Sequence, residues 1–76
     1  MAGDVIELPG IVIETHRGDL CTVEVQVGAT TRSVLARRGG RLVRNYIKLL
    51  AGDHVTVEVS PYDVSRGRVV QREERR

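Results

Sequence analysis

Val55-Thr56-Val57-Glu58-Val59-Ser60 alternates apolar and polar side chains with period two, the pattern of a strand with one face buried and the other in water. Thr22-Val23-Glu24-Val25-Gln26-Val27 does the same. Gly28 follows directly, then Thr30-Thr31-Arg32-Ser33-Val34-Leu35, so these two runs read as a hairpin turning near Gly28. Upstream, a longer strand runs from Val5 to Thr15, interrupted by Pro9-Gly10. Proline donates nothing to a ladder, and glycine within a strand marks a bulge or sharp bend. A long first strand bent in its middle can pair with two different neighbours, one way to close a small barrel. Arg68-Val69-Val70-Gln71 is the last strand.

One segment breaks this pattern. Between Arg41 and Leu50, Leu42, Tyr46 and Leu49 recur at three- to four-residue spacing, with Arg41, Arg44 and Lys48 elsewhere around the turn. The spacing predicts a short helix of about two turns, stopped by Ala51-Gly52-Asp53 and covering one open end of the barrel. The order strand-strand-strand-helix-strand-strand is that of an OB-fold, an all-β, five-stranded Greek-key barrel, here with one short helix between strands 3 and 4. The domain is expected over residues 5–71, with residues 1–4 and 72–76 as flexible ends, since Arg72-Glu73-Glu74-Arg75-Arg76 offers no apolar anchor.

Composition narrows the class. A chain of 76 residues makes one small domain, and at that size only about 60% of the unfolded chain's surface is buried. The core must come from Val, Ile and Leu, because Phe and Trp are absent and Tyr46 and Tyr62 are the two aromatics. Cys21 is the single cysteine, which rules out an internal disulfide and a cysteine-based zinc cage and suits a reducing compartment. The opening Met-Ala-Gly-Asp-Val-Ile-Glu does not read as a signal peptide, and the apolar runs are too short to span a bilayer; the expectation is cytoplasmic, away from membranes. His16 and His54 sit at strand ends with no sign of a nucleophile–base arrangement. Cys21 has no electropositive neighbour in sequence and reads as a structural thiol. Gly39-Gly40 lacks the strand–loop–helix context of a phosphate loop. No enzyme, cofactor or metal site is expected.

Charge carries more. The first thirty residues set Asp4, Glu7, Glu14, Asp19 and Glu24 against Arg17 alone, whereas residues 31–50 hold Arg32, Arg37, Arg38, Arg41, Arg44 and Lys48 with no acid. A basic block in an otherwise acidic or balanced chain reads as a phosphate-facing patch; a solvated surface without a partner is the alternative. Arg37-Arg38-Gly39-Gly40-Arg41 places guanidinium groups around two glycines that let the backbone approach a partner. The planar fork of arginine suits phosphate oxygens, and its face stacks on an unpaired base. Arg44 and Lys48, four apart, would share one helix face. A second cluster, Arg66-Gly67-Arg68, follows the turn at Pro61 and Asp63. Tyr46 and Tyr62 read as core or turn-packing residues. Two rings are too few for the chain of stacked bases used by general single-strand binders, so charge and shape against structured RNA are expected, with room for one stacking contact.

Residues Arg44-Asn45-Tyr46-Ile47-Lys48 and Pro61-Tyr62-Asp63-Val64-Ser65-Arg66-Gly67-Arg68 closely resemble the second half of bacterial translation initiation factor one. Ile6-Glu7-Leu8-Pro9-Gly10 through Thr15 is similar to that family's first strand. The resemblance covers about residues 5 to 70, more loosely between Arg17 and Val43. It implies an OB-fold that occupies the aminoacyl-tRNA site of the small ribosomal subunit, contacts the decoding-region ribosomal RNA and ribosomal protein S12, blocks elongator tRNA entry, and supports initiation factors two and three. On matching positions it implies Arg41, Arg44, Lys48, Arg66 and Arg68 as RNA contacts, supported by Asn45 and Tyr46; a monomer in solution is expected. The chain departs from the family pattern in three ways. The stretch from Gly28 to Gly40 is longer, Val43 replaces a basic residue with Arg37 and Arg38 as substitutes, and Cys21 and Gln71 replace aromatics. The competing classes are a protein-interaction barrel with an incidental basic block, and a general RNA chaperone.

Overall fold

The structure, a computed structural model, describes residues 5–73. Its elements follow the predicted order: β1 (Ile6–Thr15), β2 (Leu20–Val27), β3 (Thr30–Arg38), α1 (Gly40–Arg44), β4 (His54–Ser60) and β5 (Asp63–Arg72). The strands form a closed barrel, β1-β2-β3-β5-β4, the OB-fold topology expected from the sequence.

The bent first strand does what its Pro9-Gly10 interruption suggests. Its first part pairs with β4 over Ile6–Ile11, and Gly10 begins a second ladder with β2 that runs to Thr15. A register shift between Val12 and Glu14 adds a bulge that sharpens the curl. The β2–β3 hairpin turns at Gly28-Ala29. Between Gly28 and Gly40 the chain runs as β3 over Thr30–Arg38, paired with β2 without a register shift.

Every strand contributes a valine to the interior: Val12, Val23, Val25, Val34, Val55, Val57, Val59 and Val69 are all buried, with Cys21, Ala36 and Leu42 beside them. Val12, Val23 and Val34 stand opposite one another across three strands, a layer of compact side chains that suits a narrow barrel without aromatics. Each buried valine contributes about 1.5–2 kcal/mol. Burial also pushes the Cys21 thiol up, which disfavours the reactive thiolate.

Two expectations are corrected. The helix has five residues, Gly40–Arg44, and buries Leu42 alone. The chain then leaves helical geometry at Tyr46, so Ile47 and Leu49 pack against the core from a loop. Tyr46 and Tyr62 do not pack inside: they are 89% and 88% exposed. At the other end, Arg72 pairs with Val55 and the Glu73 N–H donates to the His54 carbonyl at 2.8 Å. β5 therefore includes Arg72; of the ends expected to be flexible, 1–4 and 72–76, residues 1–4 and 74–76 lie outside the described residues. Among the described residues, no helix is long and apolar enough to cross a membrane.

Closure depends on β5, which pairs antiparallel with β4 and parallel with Leu35–Arg38 of β3. Gly67 lies at that crossing, opposite both Val59 and Ala36. A Cβ on Gly67 would stand 2.6 Å from the Glu58 carbonyl oxygen, so the strands approach there only because the side chain is missing.

Candidate nucleic-acid interface

The register lays four charges in one row across the outside of the barrel. Glu7 faces Glu58, Glu58 faces Arg68, and Arg68 faces Arg37. Glu58 and Arg68 form an ion pair at 3.0 Å, which leaves Arg37 at the basic end of the row. Arg66, Arg37 and Arg68 line one shallow depression of about 370 Å³. Arg68 also lines a neighbouring one of about 500 Å³, together with Arg41, Arg44, Glu7 and Glu58. The two arginine clusters of the sequence are thus one surface, joined through Arg68.

Gly39 makes the junction. Its N–H donates to the Val69 carbonyl at 2.9 Å, and a Cβ there would meet that same oxygen at 2.7 Å and the Arg68 stem at 3.3 Å. The glycine pair was expected to open the backbone to a partner; Gly39 instead lets α1 dock on β5. Among the described residues Arg37, Arg41 and Arg44 form no ion pair, so their forks are available. Arg41 and Arg44 also lie in the last turn of α1, where positive charge suits the helix dipole.

Two of the nominated cations are placed elsewhere. Arg38 turns inward: one Nη donates to Asp19 Oδ1 at 2.5 Å, the other to the Ile47 carbonyl at 2.7 Å. It therefore ties the β1–β2 turn to the segment after α1. Lys48 shares no helix face with Arg44, because the helix has ended; it lines a separate depression with Arg38, Asp19 and His16. Since hydrogen bonds to a charged group are worth about 1.5–3 kcal/mol, Arg38→Ala is expected to lower Tm by roughly 8–15 °C. Its affinity for RNA, measured well below that Tm, should stay within about threefold; a loss as large as that of an Arg41 variant would return Arg38 to the contact surface.

The turn before Arg66 is held locally. Tyr62 N–H donates to Ser60 Oγ at 3.1 Å, and the Ser65 hydroxyl and N–H both donate to Asp63 Oδ1, at 2.5 and 3.2 Å. The Ser65 hydroxyl, then its N–H, and lastly the charge of Arg66 hold the Asp63 carboxyl below its ordinary range. Asn45 is the residue at which α1 ends and Tyr46 the exposed one after it. Sequence reading missed Glu7 and Glu58, because nothing short of the strand register shows that these acids border the arginines. Among the described residues, no group of three or more His, Cys, Asp or Glu side chains could hold a metal.

Fold and surface together define an OB-fold barrel with an arginine-lined, acid-bordered outer face. No family model matches the chain. Among solved structures, the chain is similar to translation initiation factor one from the Wolbachia endosymbiont strain TRS of Brugia malayi, with a TM-score of 0.67, 24% identity, and coverage of 96% of this chain and 83% of that one. It is also similar to YjeQ from Thermotoga maritima, with a TM-score of 0.72 and 24% identity over 92% of this chain. The chain spans 23% of the length of YjeQ. Both likenesses are of fold.

Proposed function

We propose that the chain is a translation initiation factor that binds the aminoacyl-tRNA site of the small ribosomal subunit. Bound there, it blocks elongator tRNA by occupying its place, touches the decoding-region RNA and ribosomal protein S12, and supports initiation factors two and three. The observation that carries this reading is the single surface formed by Arg37, Arg66, Arg68, Arg41 and Arg44, on a barrel with the fold of an initiation factor. The run from Arg44 to Arg68 that resembles the family supports it too, since that run supplies much of the surface. The mechanism needs no bond made or broken: guanidinium forks pair with phosphate oxygens and set the barrel's position. Asn45 and Tyr46 border the contact, and Lys48 and Arg38 support the loop behind it. The factor acts as a monomer in the cytoplasm.

Chemical footprinting of small ribosomal subunits tests this. Saturating protein should protect or expose decoding-site nucleotides, and log affinity should fall with log salt by roughly 0.7–0.9 per phosphate neutralised. An unchanged decoding-site pattern at saturation would sink the assignment. Equal affinity for short unstructured RNA would favour a general RNA chaperone.

A further inference from the structure

Glu7 and Glu58 stand directly opposite each other on β1 and β4, and like charges so placed work against a sheet. Arg68 neutralises Glu58 alone, one Nη donating to Glu58 Oε1 at 3.0 Å. Among the described residues Glu7 forms no ion pair, so the pair of acids is held without full compensation. Nor do they stand apart from the arginines: both line the same depression as Arg41, Arg44 and Arg68. The row they close reads Leu20, Arg37, Arg68, Glu58, Glu7 across the barrel. Its basic stretch is therefore two strands wide, with an apolar side chain at one end and two acids at the other. Neighbouring strands lie about 4.8 Å apart, so that width suits one phosphate backbone. A second backbone laid beyond Arg68 comes over Glu58 and Glu7, closer than the ~8–10 Å over which salt screens exposed charges.

We propose that Glu58 is a specificity-determining residue of the RNA surface: its carboxylate competes with phosphate for the Arg68 fork and, together with Glu7, rejects a second backbone. The proposal rests on the RNA-binding reading above and adds its selectivity, for RNA that offers a single backbone at this edge over uninterrupted duplex. The Arg68 and Glu58 side chains are 61% and 21% exposed, and an ion pair open to water is weak. A well-placed phosphate therefore displaces the carboxylate. Every RNA meets that competition; an RNA with a second backbone over the acids meets repulsion as well. Arg37, Arg41 and Arg44 supply attraction, and the acids supply the repulsive element that discrimination needs.

The test compares small ribosomal subunits with an uninterrupted RNA duplex in filter-binding titrations. Glu58→Gln keeps the side chain's shape and an oxygen for Arg68 but removes the charge. Its affinity for the duplex should rise about fivefold or more, and the ratio of subunit to duplex affinity should fall at least about threefold. Glu7→Gln should lower that ratio in the same direction, and both changes together should exceed either alone. In an Arg68→Ala background, where no fork is left to compete for, Glu58→Gln should raise duplex affinity by less than about twofold. A lower Tm with an unchanged ratio would make Glu58 a strut between β4 and β5 and overturn the proposal, the RNA surface standing as long as Arg41→Glu with Arg44→Glu weakens subunit binding. If that double variant binds both RNAs as the unaltered protein does, the RNA surface itself is overturned.

Discussion

Replacing Arg41 and Arg44 together by glutamate is expected to weaken binding to small ribosomal subunits by at least about a hundredfold. Charge-assisted hydrogen bonds to phosphate are worth about 1.5–3 kcal/mol each, and about 1.4 kcal/mol is a factor of ten, so two lost contacts reach that figure before repulsion is added. The salt slope should fall in parallel by roughly 1.4–1.8, because two phosphates are no longer neutralised. Stability is touched far less. Both side chains are exposed, form no ion pair among the described residues, and belong to a helix whose one buried residue is Leu42. Acids in the last turn oppose the helix dipole by under about 1 kcal/mol each, a Tm loss below about 10 °C. Calorimetry and a filter-binding titration separate the two effects; unchanged affinity would mean that this face is idle.

Gly67→Ala is expected to produce a large loss of stability from a single added methyl group. The added carbon would lie 2.6 Å from the Glu58 carbonyl oxygen and 2.8 Å from a methyl of Val57 and of Val59. A flexible side chain can yield to such a clash, but a ladder carbonyl flanked by two buried valines cannot without parting β4 from β5. Overpacking of this kind costs about 1–3 kcal/mol, and the backbone contact places it at the upper end, a Tm decrease of about 10–20 °C by circular dichroism. Gly40→Ala is the matched control, because its Cβ would meet nothing closer than Arg44 Nη1 at 3.8 Å; its Tm should change by less than about 4 °C. Similar melting of the two variants would contradict the tight crossing at Gly67.

The strands were legible because their valines alternate so regularly with polar residues, and Pro9-Gly10 announced that β1 would serve two ladders. The helix was overread for a physical reason. Leu42, Tyr46 and Leu49 keep a helical spacing, yet a Schellman pair of bonds, from the Ile47 and Tyr46 N–H groups to the Leu42 and Val43 carbonyls, ends the turn at Asn45 and brings Ile47, rather than Tyr46, to the core. Much of the candidate surface was legible as arginines near glycines. The sequence does not show which cation the fold uses for itself. Arg37 and Arg38 are neighbours in the chain, but strand alternation points one outward and leaves the other to bridge Asp19 and Ile47. Nor does any local pattern reveal that Arg37 meets Arg68, since parallel pairing of β3 with β5 joins residues about thirty positions apart.

That parallel pairing also dictates when the surface comes into being. Hairpins form within microseconds from local contacts, whereas joining distant segments requires loop-closure entropy to be overcome first. The β2–β3 hairpin therefore forms early, and Arg37 waits on it without its neighbours until β5 arrives. On a chain emerging from synthesis, residues 66–69 follow all the earlier strands, so the composite surface appears only at the final step of folding. A chain lacking β5 displays scattered arginines and the closed barrel a shaped face, so on the proposed reading completion of the fold separates nonspecific attraction to RNA from recognition.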